Sequence, residues 1–250
     1  MRFSAHAVQC IPHCRPIIMR KPSSRPGSAL RLAALALCCV FAWTNAGTNA
    51  FAFTQPSARP VAASTPAAQR AVLVMGDSLS AAYGLSAAQG WVSLTAQKIA
   101  KEKPGWRVVN ASISGETTAG GAARIAGELK RNRPAVVMIE LGANDGLRGL
   151  PLAQTRANLA KMIAAAKAAN AKVLLIGMRL PPNYGPDYTR QFEQLFRDLS
   201  QQHKTAFVPF LLQPIAADDR AFQADHLHPV AAAQPKLRDH VWPALVPLLN

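Results

Sequence analysis

The chain has 250 residues, enough for one well-buried domain or at most two small ones. Half of the residues are hydrophobic and 16% are charged, which excludes bulk disorder. Lys and Arg outnumber Asp and Glu by 28 to 13, a formal net charge of +15, and that excess invites a nucleic-acid reading until the charges are located.

Residues 1–52 contain Arg2, Arg15, Arg20, Lys21, Arg25 and Arg31 and no acid. An uncharged apolar run occupies 32–43, and small residues follow, with Ala50-Phe51-Ala52 as an A-x-A match. Basic flank, short apolar core and small-residue exit are the three parts of a secretory signal, and the run is shorter than the about 20 residues of a membrane span. The sequence therefore predicts a signal peptide over 1–52. Met19 is the better start, because Met19-Arg20-Lys21 leads straight into the pattern. An uncleaved anchoring helix fits less well, as does a lipoprotein cysteine at Cys38 or Cys39. Cleavage near Ala52 leaves 22 basic against 13 acidic residues, a net +9. It also removes all four cysteines (Cys10, Cys14, Cys38 and Cys39), and with them any disulfide, Cys nucleophile or Cys metal site. A periplasmic or secreted location is expected.

Residues 53–70 are rich in Pro, Ala and Ser and read as a flexible linker. From 71 to 250, β-branched runs alternate with Ala-rich helical stretches. In chain order the pattern predicts a strand at 71–75, a helix at 91–101, a strand at 107–111 and a helix at 118–132. A strand at 135–141, a helix at 152–169, a strand at 172–177 and a helix at 188–203 follow. A weaker run at 205–209 reads as an edge strand. The last helix spans about 230–249 and is expected to be irregular at Pro235 and Pro243. The four stronger strands show little polar alternation, as strands covered on both faces do. Strict β/α alternation argues for one parallel, doubly wound sheet, with an active site at the carboxyl ends of its strands.

Four segments there carry chemistry-bearing residues. After the first strand stands Gly76-Asp77-Ser78-Leu79-Ser80. Ser78, taken as opening a following helix, is placed either as a nucleophile favoured by helix amides or as a helix cap. Position 80 is Ser, so this is not the G-x-S-x-G elbow. After the second strand, Gly115 either lets a backbone N–H approach a reacting oxygen or supplies a turn. After the third, Asn144 is either an oxyanion donor or part of an Asn-Asp turn. Before the last helix, Asp225 and His228 stand three apart, which lets the acid orient one imidazole nitrogen while the other faces a nucleophile. His226, next to Asp225, is the weaker base.

Four such blocks in this order mean more than any one alone. The stretches Gly-Asp-Ser-Leu-Ser, Asn-Ala-Ser-Ile-Ser-Gly-Glu-Thr, Leu-Gly-Ala-Asn-Asp-Gly-Leu-Arg-Gly, Arg-Leu-Pro-Pro-Asn-Tyr-Gly and His-Leu-His-Pro resemble the SGNH (GDSL-type) hydrolase family. Within it they resemble the bacterial periplasmic thioesterase, lysophospholipase and arylesterase group. The resemblance covers about 71–250. It implies a three-layer flavodoxin-like α/β fold with a five-stranded parallel sheet. It also implies a triad of Ser78, Asp225 and His228, and an oxyanion hole of the Ser78 N–H, the Gly115 N–H and the Asn144 side chain. Around Gly146-Leu147-Arg148-Gly149, a segment that moves in the group, Leu147, Leu180, Pro181 and Tyr184 become candidates for acyl-chain contact. Two positions depart from the pattern: Ala143 where the group often has Gly, and His226 where a small residue is usual. Both are expected to line the site.

The resemblance implies a serine esterase or thioesterase acting on small-molecule acyl substrates, with no metal or organic cofactor. A carbohydrate O-acetylesterase would use the same triad, and a non-catalytic lipid-binding module would not need it. Nucleic acid is not an expected partner, since Lys130-Arg131-Asn132-Arg133 is the only tight basic cluster and no aromatics interleave with it. The residual charge suits solubility and weak association with an anionic membrane surface. A monomer is expected.

Overall fold

In the computed structural model, residues 69–250 are described; the expected signal peptide and nearly all of the expected linker lie outside them. Arg70–Gly76 forms β1, followed by α1 (Trp91–Glu102), β2 (Trp106–Asn110), α2 (Thr118–Asn132) and β3 (Val136–Glu140). A short α3 (Ala143–Leu147) comes next, then α4 (Leu152–Ala168), β4 (Lys172–Ile176), α5 (Pro186–His203), β5 (Ala206–Val208) and α6 (Gln234–Leu245). All five strands are parallel, in the order β2-β1-β3-β4-β5.

The missing alternation in β1, β3 and β4 has the cause expected of it. Val72, Leu73, Val74 and Met75 are all buried, as are Val136, Val137, Met138 and Ile139, because helices cover both faces. The helices form two groups, α1 against α6 and α2 against α4 against α5. Each presents one apolar stripe, such as Phe192, Leu195, Phe196 and Leu199 on α5. The Phe192 and Phe196 rings meet edge to face at 5.2 Å. The last strand has three residues and lies at the sheet's edge, as its weak pattern predicts.

Two expectations are corrected. Pro235 does not disturb α6: it sits in the first turn, where its missing N–H costs nothing, and only Pro243 lies inside the helix. The helix expected to open at Ser78 does not form. Residues 78–84 make a run of turns, closed by Ala81 N–H to Asp77 O (2.9 Å) and Tyr83 N–H to Ser78 O (3.1 Å), and α1 begins only at Trp91. Ala82 takes a left-handed φ of 61°, which breaks any helical continuation.

The strand order fixes where a site can form. From β1 the chain steps to β2 on one side, then crosses back to β3 on the other. The carboxyl ends of β1 and β3 therefore flank a crevice at the topological switch point. Ser78 follows β1 and Asn144 follows β3, so both stand at that crevice. The basic cluster 130–133 lies away from the crevice, at the C-terminus of α2 just before the amino end of β3, where cations complement the helix dipole and Arg131 pairs with Glu128 at 2.9 Å. Among the described residues no helix is long and apolar enough to cross a membrane.

Candidate active site

The segment before α6 is folded back on itself. Phe222 and Pro229 form an antiparallel bridge, Gln223 N–H donates to His228 O (2.7 Å), and Val230 N–H donates to Ala221 O (2.9 Å). Within this loop Asp225 Oδ1 accepts the backbone N–H groups of Leu227 and His228, each at 3.0 Å. That leaves Oδ2 for His228 Nδ1, at 2.7 Å. His228 Nε2 lies 2.8 Å from Ser78 Oγ. With the proton on Nδ1, imidazole donates to Asp225 and accepts from the Ser78 hydroxyl, so the three groups can relay a proton from Ser78 to His228. The His228 N–H bond, the side-chain bond to the imidazole and the Leu227 N–H outweigh partial burial and hold the Asp225 carboxyl down at about 2.

Residues that no motif signalled hold this loop against the Ser78 turn. Gln223 Nε2 donates to both Tyr83 O (2.8 Å) and Pro229 O (3.2 Å). Gln234 accepts from Trp91 N–H at 2.9 Å and donates to Pro229 O at 3.3 Å. The Tyr83 ring packs 4.4 Å from the His228 ring, limiting its rotation. Gly76 is required by contact: a Cβ there would stand 2.6 Å from Ser80 Cβ and 2.8 Å from Ser112 Oγ. Only a residue without a Cβ lets those serines cover the end of β1.

Gly115 has a φ of 78°, the left-handed region that glycine enters freely. Among the described residues, neither its N–H nor that of Ser78 has a backbone or side-chain acceptor. The Gly115 carbonyl accepts from Arg148 at 3.0 Å, and a bidentate Arg124 guanidinium holds Glu116 next to it. Asn144 Nδ2 donates to Glu116 O (3.0 Å) and to Asp77 Oδ2 (3.2 Å). The Ser78, Gly115 and Asn144 blocks thus come together around one crevice.

A cavity of about 520 Å³ opens beside Ser78 and His228. Leu147, Leu180 and Pro181 line it, together with Met178, Phe210, Leu212 and Phe222. Tyr184 is not on the wall; its hydroxyl donates to Leu147 O at 3.0 Å. The segment expected to be mobile is partly helical (α3) and is held at three points: by Tyr184, by Tyr188 donating to Leu150 O (2.9 Å), and by Arg148. Ala143 and His226 both line the cavity. His226 takes a left-handed φ of 56°, a region that His enters more readily than most residues with a side chain.

The fold and the site together define an α/β hydrolytic domain built at a switch point. The profile of the GDSL-like Lipase/Acylhydrolase family matches residues 74–234, and the chain belongs to that family. It is an ester hydrolase. "Esterase TesA" of Pseudomonas aeruginosa is 52% identical over 183 residues, 73% of this chain and 91% of that protein. "Thioesterase 1/protease 1/lysophospholipase L1" of Escherichia coli K12 is 40% identical over 184 residues, 74% of this chain and 87% of that protein. The crystal structure of TesA superposes with a TM-score of 0.70 at 52% identity, covering 72% of this chain and 99% of that one.

Proposed function

We propose that the protein hydrolyses acyl esters and thioesters by two-step acyl transfer through Ser78, His228 and Asp225. Ser78 Oγ attacks the acyl carbonyl as its proton passes to His228 Nε2, and Asp225 stabilises the imidazolium. The oxyanion is met by the free N–H groups of Ser78 and Gly115 and by one Asn144 N–H, which gives up Glu116 O for it while the other stays on Asp77. Collapse expels the alcohol or thiol, which takes the proton from His228. Water, deprotonated by His228, then attacks the acyl-enzyme, and collapse breaks the bond to Ser78 Oγ, which takes the proton back from His228 as the carboxylic acid leaves.

The observation that carries the substrate class is the largely apolar cavity beside the Ser78–His228 pair. Its wall suits an acyl chain of medium or greater length better than an acetyl group on a sugar, which needs hydrogen-bonding partners. Tyr83, Ile113 and Leu227 are large hydrophobic residues more than 40% exposed, and each sits on a loop that carries a site residue. They support an amphiphilic substrate, such as an aryl or lysophospholipid ester or an acyl-CoA. Export to the periplasm or medium is supported by the signal pattern in 1–52, and the net +9 that remains supports weak association with anionic membranes. The protein acts as a monomer in this reading.

Two measurements test it. A fluorophosphonate probe labels the folded protein and fails on Ser78→Ala; labelling that survives the substitution removes Ser78 as nucleophile. A panel of p-nitrophenyl esters from acetyl to palmitoyl, with acyl-CoAs and lysophospholipids, gives higher kcat/KM for medium and long chains. Strict acetyl preference assigns the site to carbohydrate deacetylation instead.

A further inference from the structure

Two carboxyl groups lie beneath the Ser78 turn, and the acyl-transfer cycle leaves both unused. Asp77 is 1% exposed and Glu140 is fully buried. Gly76 and Glu140 are register partners, so both carboxyls stand at the ends of the two strands that flank the switch point. Asp77 Oδ1 accepts the Leu79 N–H at 3.0 Å, fixing the turn that carries Ser78, and Oδ2 accepts from Asn144 Nδ2 at 3.2 Å. Glu140 Oε2 accepts from Ser80 Oγ at 2.7 Å, while its Oε1 is buried without a partner.

Two buried acids this close do not both ionise. Burial, and then the charge of Asp77, push the Glu140 carboxyl well above the usual carboxylate range. Burial also lifts Asp77, to about 6, although the Leu79 N–H, His228 and Asn144 oppose the rise. Asp145 of α3 adds to it. Near neutral pH the single charge therefore sits on Asp77. The charge matters for geometry, because a carboxylate accepts on both oxygens whereas a carboxylic acid or carboxamide offers one acceptor and one donor. Only ionised Asp77 can hold the Leu79 N–H and the Asn144 amide together.

We propose that Asp77 is a positioning residue for the acyl-transfer site: its side chain ties the Asn144 amide to the Ser78 turn across the β1/β3 crevice. The proposal rests on the acyl-transfer reading above. Protonating Asp77 leaves Asn144 with Glu116 O as its remaining partner and loosens the turn, while the hydrogen bonds of the Ser78–His228–Asp225 relay stay in place. The enzyme then has a second reason to lose activity in acid, beside protonation of His228.

The test is the pH dependence of kcat/KM for p-nitrophenyl butyrate, measured on the full chain. The wild-type acid limb falls with the slope of two protons. Asp77→Asn lowers kcat on the order of 10- to 100-fold at pH 8 with KM changed by less than about 3-fold, and its acid limb falls with the slope of one. Glu140→Gln mimics the neutral acid, keeps Ser80 anchored and keeps kcat within about 3-fold of wild type with a two-proton limb, whereas Glu140→Ala loses more. A one-proton wild-type limb overturns the proposal, as does an Asp77→Asn protein with unchanged kcat and profile. A Glu140→Gln protein as impaired as Asp77→Asn overturns it too. If Asp77→Asn fails to fold by circular dichroism, the wild-type limb and the Glu140 variants still decide. Ser78→Ala separates the two claims. Retained turnover there removes the acyl-transfer reading, while abolished turnover with a silent Asp77→Asn removes only this one.

Discussion

The crevice has two walls built on different physics. Beneath Ser78 and Asn144 lies a polar bed in which Asp77, Ser80, Glu140 and Asp145 are all at most 2% exposed. Across from it, Leu147, Met178, Leu180, Pro181 and Phe210 form an apolar wall with no comparable network. The bed works by direction: Asp77, Ser80 and Asp145 hold assigned hydrogen-bond partners, and misplacing one moves a reacting group. The wall works by area, so its losses are graded and fall on the part of the substrate that does not react. Changes in the bed should therefore alter kcat or stability, and changes in the wall should alter KM and chain-length preference.

The largest expected effect tests the bed where it meets the oxyanion. Asn144→Ala deletes one of the three proposed donors and should lower kcat about 100- to 1000-fold while leaving KM nearly unchanged. A variant with near-wild-type turnover would take Asn144 out of the hole and weaken the contrast between the walls. Next comes Gly76→Ala. The added methyl would stand 2.6 Å from Ser80 Cβ, which is attached to backbone and cannot swing away, so the cost is overpacking of about 1–3 kcal/mol. Chemical denaturation measures it, and a loss below about 0.5 kcal/mol would mean that the turn yields.

A smaller effect in the bed concerns stability against pH. A carboxyl whose folded-state pKa lies above its unfolded value binds its proton more tightly when folded. Glu140 is raised in this way, so it favours the folded state in acid and disfavours it progressively as pH rises beyond the usual carboxylate range. Glu140→Gln removes that slope. Its Tm at pH 8 should exceed the wild-type value by a few degrees, with the gap closing towards pH 4. A gap that widens in acid would reverse the assignment of Glu140 as the neutral member of the pair.

The same division governs what the sequence reveals. The sheet was legible because runs such as Val-Leu-Val-Met at 72–75 and Val-Val-Met-Ile at 136–139 encode two-sided burial locally. The Asp225–His228 spacing was legible because an Asx-type turn over four residues sets its own geometry. The bed was not. Glu140 reads as the polar end of an apolar run, and only the register of β1 with β3 sets it against Gly76 and beneath Asp77. Leu79-Ser80-Ala81-Ala82 has helix-compatible composition, yet contacts with Asp77 and Gln223 hold it as turns. Gly146 and Gly149 suggest a loose loop, and hydrogen bonds from Arg148 to Gly115 O, from Tyr184 to Leu147 O and from Tyr188 to Leu150 O tie it and its exit to parts of the chain 33 to 38 positions away. His226 was visible as a departure from a pattern, but its left-handed backbone appears only in the structure.

The smallest effect probes the apolar wall. Leu180 is partly buried, lines the cavity and packs against Gly146 of α3, where a Cβ would meet Leu180 Cδ2 at 2.6 Å. Leu180→Ala removes apolar surface that a chain beyond the first few carbons would cover, while p-nitrophenyl acetate does not reach it. At about 0.8 kcal/mol per buried methylene, loss of one or two such contacts raises KM for octanoyl and longer esters roughly 4- to 15-fold. Because those contacts are made equally in the ground and transition states, kcat should stay close to wild type for every chain length. A uniform fall in kcat, acetyl included, would show instead that Leu180 supports α3 and through it Asn144, and the two walls would then be one mechanical unit.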